Sequence, residues 1–273
     1  MSFIITKGIK NKVKRGKLSL KNMGITNMFE IQGLGNLTNL RKLDLKKNAI
    51  TKIENLDWLI SLEKLKLKKN NILEIEGLDK LQNLINLNLS CNQIREIKGL
   101  ENLTNLKRLN LRENQITDIK GLESLKNLKY LSLGLNQITK VSGLDTLENL
   151  EGLDLSNNQI SKIEGLENLT NLKTLYLTKN NFTVIEGLQN LRNLRQITIG
   201  FKRVIGGVEL NGKKFPTNER KKMGVKFEPE YGMRINARKI VLYCQFPRET
   251  EIFDIPTSGI SDSQKDWKKR IKK

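Results

Sequence analysis

An asparagine returns every 22 residues through most of this chain: Asn48, Asn70, Asn92, Asn114, Asn136, Asn158 and Asn180. Gly77, Gly99, Gly121, Gly143, Gly165 and Gly187 keep the same interval, with Asn55 and Gly33 extending that series backwards. One unit reads NLTNLKRLNLRENQITDIKGLE (Asn102 to Glu123), and its neighbours repeat its apolar positions. Units this short cannot each close a core. Each must bury its apolar side against the next, so the chain is expected to grow as a stack.

The parts of the unit have separate physical roles. Leu109 and Leu111 alternate with Arg108, Asn110 and Arg112, which predicts a short strand with leucines inward and polar side chains outward. Stacking places one such strand per unit in a parallel sheet. The following Asn is polar yet must be buried at the turn, so its amide has to satisfy backbone groups there and in the neighbouring coil. Ile116, Ile119, Leu122, Leu125 and Leu128 face inward from the returning segment. The glycine before Leu122 needs positive φ, and Asn55 is the one residue of the series that substitutes there cheaply. The return path is too short for a full helix, so 3₁₀ or turn segments are expected.

The array has readable ends. Leu18 and Leu20 form a first strand, but Leu20 to Leu45 is 25 positions, so the opening unit holds three extra residues, and Met23 stands at the Asn site. Ile197 and Ile199 give a last strand, after which the Asn series fails at Lys202 and the Gly series at Glu209. Nine strands at ~4.8 Å spacing span roughly 40 Å.

The pattern L-x-x-L-x-L-x-x-N-x-I at this period is the leucine-rich repeat signature. The units resemble the 22-residue repeats of the protein phosphatase 1 regulatory subunit family and of bacterial internalins, over about residues 16–200. The resemblance implies an α/β solenoid, a right-handed horseshoe or arc that binds other proteins on its concave sheet. Phosphatase binding is not carried over, because the strands here are basic. Three regions are expected: an N-terminal cap with an atypical first repeat (1–35), regular repeats (36–201), and a C-terminal cap (202–273).

That last region holds every proline, Pro216, Pro229, Pro247 and Pro256. Asn211-Gly212 within GVELNGKKF predicts a two-residue hairpin turn. Arg234 to Phe246 predicts a short helix, and Ser261-x-x-Gln264 a capping box ahead of a basic tail with Trp267 and Ile271.

Chemistry is conspicuous by what the sequence lacks. There is no His, which removes imidazole bases and His-containing metal sites. The glycines sit singly at repeat spacing, so no loop is built to cradle a phosphate. Glu74/Glu76 and Glu164/Glu167 recur with the period and read as solvated turn residues. Cys91 reads as an incidental residue at a strand edge, and Cys244 has no His to activate it. No enzyme activity, metal or cofactor is expected. The apolar stretch near the N-terminus turns basic at once, unlike a secretory leader, and no run suits a membrane span. A cytoplasmic monomer is the expectation.

Charge carries the remaining information. The net charge is +20, of which residues 36–195 contribute only +5. Residues 1–35 hold seven Lys/Arg against one Glu, and residues 196–273 hold 18 against nine acids. On the strands, however, the charges are ordered. Lys42, Lys46, Lys64, Lys66, Lys68, Arg108 and Arg112 occupy outward positions in the first half of the array, with Tyr130 and Tyr176 further along. The expectation is a protein partner with an acidic patch, steered by the lysines and anchored by the tyrosines. RNA or another polyanion held by the basic ends is the second choice, since no aromatic lies among those lysines to stack on a base.

Overall fold

The computed structural model describes residues 3–182 and 187–199, and beyond them the backbone of five short strands. In chain order the strands are β1 (Phe3–Thr6), β2 (Ile9–Lys12), β3 (Lys17–Ser19), β4 (Ile31–Gln32), β5 (Lys42–Asp44), β6 (Lys64–Lys66), β7 (Asn86–Asn88), β8 (Arg108–Asn110) and β9 (Tyr130–Ser132). They continue as β10 (Gly152–Asp154), β11 (Thr174–Tyr176), β12 (Gln196–Ile199), β13 (Arg203–Val204), β14 (Gly207–Leu210), β15 (Lys213–Phe215), β16 (Lys226–Glu228) and β17 (Gly232–Asn236).

Nine strands, β3 and β5 to β12, pair in parallel to form a solenoid of about eight turns. Register follows the repeat: Leu43 pairs Leu65, Leu65 pairs Leu87, and Leu153 pairs Leu175. These leucines, together with Leu45, Leu67, Leu89, Leu111 and their equivalents, are buried. So are Ile116, Ile119, Leu122, Leu125 and Leu128 on the return path, where amides bond back three residues, Leu125 N to Leu122 O and Leu128 N to Leu125 O. The return is therefore a pair of 3₁₀-type turns, too tight to continue as a helix.

The period glycines have φ between +63° and +74°. Conformation is only half of their requirement. A Cβ on Gly99 would stand 2.4 Å from Ile75 O of the preceding coil, and one on Gly121 would stand 2.3 Å from Ile97 O. Asn55, at φ 56°, follows the irregular opening coil, and Gly33 lies within that coil, where a Cβ would have only Ile4 Cγ2 at 3.9 Å.

The three extra residues of the opening unit go into a 3₁₀ turn at Met28–Glu30 and into β4. Asn27 caps that turn and Glu30 reaches back to the Thr26 and Asn27 amides, a reciprocal capping arrangement. β4 pairs with β1, which pairs with β2, so a three-stranded antiparallel sheet covers the first coil and buries Ile4, Met28 and Ile31.

At the other end, β17 pairs antiparallel with β12 (Ile197 opposite Ile235) and β16 pairs with β17. This overturns the helix expected from Arg234: Arg234, Ile235 and Asn236 are in a strand, because the unpaired edge of β12 offers a ladder of backbone partners that outweighs weak local periodicity. Residues 237–246 lie outside the described residues, as do Cys244, Ser261, Gln264, Trp267 and Ile271. β14 and β15 pair antiparallel with Leu210 opposite Lys213, while the turn expected at Asn211-Gly212 lies outside the described residues.

Candidate functional site

Asparagines fix how the coils stack. Asn114 accepts from Ile94 N at 3.1 Å and donates to Leu89 O at 3.1 Å and to Leu111 O at 2.9 Å. Two of those bonds cross to the preceding coil. The same pattern recurs at Asn70, Asn92, Asn136, Asn158 and Asn180, while Asn48 bonds Met23 N and Leu20 O of the opening unit. A second, exposed series went unread in the sequence: Asn83, Asn105, Asn127, Asn149, Asn171 and Asn193 each donate to a carbonyl 23 positions earlier. Its signal was the same 22-residue interval.

The outward side chains of the sheet stand in three columns. The first runs Lys17, Lys42, Lys64, Asn86, Arg108, Tyr130, Gly152, Thr174, each opposite the next. The second runs Ser19, Asp44, Lys66, Asn88, Asn110, Ser132, Asp154, Tyr176 in the same register. The third, two residues along each strand, holds Lys21, Lys46, Lys68, Ser90, Arg112, Gly134, Ser156 and Thr178.

The N-terminal half of this face is cationic. Lys17, Lys42 and Lys64 lie side by side, and their repulsion shows in Lys42, whose ammonium is held below its ordinary pKa by Lys64 first and Lys17 second. Lys46 pairs with Asp44 at 3.4 Å, the one ion pair in this half of the three columns among the described residues. Lys64, Lys66 and Lys68 have no carboxylate partner among the described residues.

From β8 onward the charges satisfy one another. The Arg108 guanidinium sits 3.9 Å from the centre of the Tyr130 ring. That ring extends over Gly152, where a Cβ would meet Tyr130 Cδ1 at 2.9 Å. Arg112 Nη1 bonds Asp154 Oδ2 at 3.1 Å and Ser156 Oγ at 3.3 Å, two strands away. Asp154 also accepts from Ser132 Oγ and from the Ser156 amide and hydroxyl. The expected contact set is thus not uniform. Lys42, Lys64, Lys66 and Lys68 are unpaired together, Lys46 is partly neutralised, and Arg108 and Arg112 are held by neighbours. Tyr130 is 36% exposed, and Tyr176 is half-buried two strands beyond it.

Three other expectations can be placed. Cys91 is not at a strand edge but in the turn that follows, with φ 58°, and its thiol donates to Glu113 Oε2. Burial, then that bond, pushes the thiol pKa up, which disfavours the reactive thiolate. Glu74, Glu76 and Glu164 pair across coils with Lys98, Lys52 and Lys140, while Glu167 accepts from Gly165 N within its own turn. Glu151, beside the sheet, takes Lys129 at 2.8 Å and Lys173 at 2.7 Å, and these two bonds lower its pKa to about 2.

One strand per turn, an inward leucine pair and a crossing asparagine define a repeat solenoid, and comparison with known proteins agrees. The Leucine Rich repeats (2 copies) family matches residues 104–146 and 148–183, and the Leucine Rich repeat family matches residues 36–52. An internalin C2 from Listeria monocytogenes is 37% identical over 67% of this chain and 80% of that one, with a TM-score of 0.63. The internalin inlF of the same organism is 30% identical over 68% of this chain and 60% of that one, with a TM-score of 0.60. A TLR13–ssRNA13 complex gives 28% identity over 72% of this chain but 32% of that one, with a TM-score of 0.56. No curated protein matches the chain. The chain belongs to the leucine-rich repeat family, in its internalin-like type. Proteins of this family generally mediate protein–protein interaction.

Proposed function

We propose that this protein is a non-catalytic binding module whose sheet receives a protein partner through an acidic patch. The observation that supports it is the block Lys17, Lys42, Lys64, Lys66 and Lys68, five lysines on three adjacent strands of which none forms a salt bridge among the described residues, Glu63 beside Lys42 being bridged to Arg41. Like charges placed side by side repel, so such a block is retained at a cost that an incoming anion offsets. Lysines in this number raise encounter rates more than they deepen affinity. Tyr130, already fixed against Gly152 and Arg108, supplies a rigid contact beside the block.

A second reading has support in the charge distribution, since three quarters of the +20 lies outside the regular repeats, and one similar structure is of a complex with single-stranded RNA. In this reading the basic ends hold RNA or another polyanion without regard to sequence. Capture from a lysate of the source cell, with and without nuclease, separates the two. Wild type is run beside Lys64→Glu/Lys66→Glu/Lys68→Glu and beside a chain lacking residues 261–273. A protein captured through nuclease treatment and lost with the triple variant supports the first reading. Capture abolished by nuclease, or by the truncation alone, supports the second.

A further inference from the structure

The second column of the sheet contains an unequal choice of residues for one local job. Asp44 Oδ1 accepts from Lys46 N at 3.2 Å, and Asp154 Oδ1 accepts from Ser156 N at 3.0 Å. Asn88 Oδ1 accepts from Ser90 N and Asn110 Oδ1 from Arg112 N, both at 3.0 Å. The turn is closed equally by either side chain, so backbone geometry does not select Asn over Asp. The surroundings do differ. Both aspartates carry a cation of their own, Lys46 and Arg112. Asn88 and Asn110 lie where no such pairing is made, between the lysine block and Tyr130.

These bonds also fix which way the carboxamides point. Each Oδ1 is engaged inward, so each Nδ2 is left as a donor, and neither Nδ2 has a partner among the described residues. Lys64, Lys66, Lys68, Asn88 and Asn110 therefore form one continuous strip of donors, with no uncompensated carboxylate within it. Extended to Lys17 and Lys42 on one side and to Tyr130 on the other, the strip runs from β3 to β9, five strand spacings or about 24 Å, which an extended peptide of roughly seven residues covers. Flexible ammonium groups rather than planar guanidinium forks line its charged part, and no aromatic lies between Lys17 and Arg108 in any column. The ammonium groups accept either kind of anion, and the lack of a stacking ring favours an acidic peptide over the bases of a nucleic acid.

We infer that the occupant of this strip is an extended acidic polypeptide segment that crosses the strands, its carboxylates over the lysines of β5 and β6 and its main-chain carbonyls over Asn88 and Asn110. The inference rests on the proposed function and deepens it, because it adds two uncharged residues to the footprint and gives the partner a form.

The test uses the full chain, with fluorescein-labelled octaglutamate and octauridylate as probes and anisotropy as readout over a range of salt. Asn88→Ser/Asn110→Ser is the diagnostic variant, since Ser19 and Ser132 already occupy this column. It keeps the charge and removes both amide donors. Octaglutamate is expected to bind wild type more tightly than octauridylate. The serine variant is expected to weaken it at least about fivefold with an unchanged salt slope, and Lys64→Glu/Lys66→Glu/Lys68→Glu to flatten that slope. Octaglutamate binding that is lost with the lysine variant but unaffected by the serine variant would overturn the footprint while leaving the acidic partner in place. Failure of octaglutamate to bind wild type, or tighter binding of octauridylate, would overturn both.

Discussion

Arg112 reaches Asp154 across the vacancy left by Gly134: Nη1 and Oδ2 lie 3.1 Å apart, and a Cβ on Gly134 would stand 2.3 Å from that same Nη1. A residue with no side chain on β9's flank thus decides where the cationic region of the sheet ends. Gly134→Ala is expected to displace Arg112 towards Lys68 and leave Asp154 to its serine partners. Because the pair is partly exposed, the loss of stability should stay below about 1 kcal/mol. The expected signature is faster association with an acidic probe, measured beside a chemical denaturation curve that barely moves.

Glycine elsewhere is far less replaceable. Gly121→Ala combines a φ of +72° with a Cβ 2.3 Å from Ile97 O, a backbone atom that cannot swing aside. A loss of about 2 kcal/mol or more is expected in equilibrium denaturation. Gly8→Ala has a similar φ of +73° but nothing within 4 Å, so it isolates the conformational part, about 1 kcal/mol.

Removing a ladder amide should act locally. Asn114→Ala strands the Ile94 amide and the Leu89 and Leu111 carbonyls in a buried turn, at a cost of about 2–4 kcal/mol. Asn180→Ala, half-buried at the last described rung, lets water replace the lost bonds and should cost less. Amide hydrogen exchange of Ile94 and Ile160 compares the two directly.

Acid should act through Glu151 and Glu30. Glu151 is lowered to about 2 by its bonds to Lys129 and Lys173, and Glu30 to about 2 by the Thr26 hydroxyl and the Asn27 and Thr26 amides. A carboxylate depressed in the folded state contributes stability above its unfolded pKa and loses it as pH falls through the folded one. The contribution should therefore be complete above about pH 4.5 and disappear towards pH 2. Glu151→Gln/Glu30→Gln should flatten the stability profile in that window and leave its shape above pH 5 unchanged.

What the sequence made legible follows from what repeats. Leu109, Leu111, Ile116 and Ile119 are read because each coil solves the same packing problem with the same residue type. Turns solved by backbone alone leave no such trace. Lys47, Lys69, Cys91, Glu113, Leu135, Asn157 and Lys179 all adopt φ of 54–59° just before the ladder position, yet share no chemistry, because the flanking strand and amide hold them there. The sheet face was legible as a set of outward residues but not as partnerships. Arg112 with Asp154, and Tyr130 over Gly152, link residues 42 and 22 positions apart through the absence of side chains at Gly134 and Gly152, which no local pattern encodes. The helix expected at Arg234 failed for a related reason, since pairing with β12 is a long-range contact.

The most direct measurement is the association rate of labelled octaglutamate with wild type and with Lys64→Glu/Lys66→Glu/Lys68→Glu, followed by stopped flow as ionic strength rises. If the lysine block steers an acidic partner, wild type associates fast at low salt and slows steeply as salt is added, while the variant is slow throughout with a shallow dependence. Equal rates and equal salt slopes for the two proteins would contradict it.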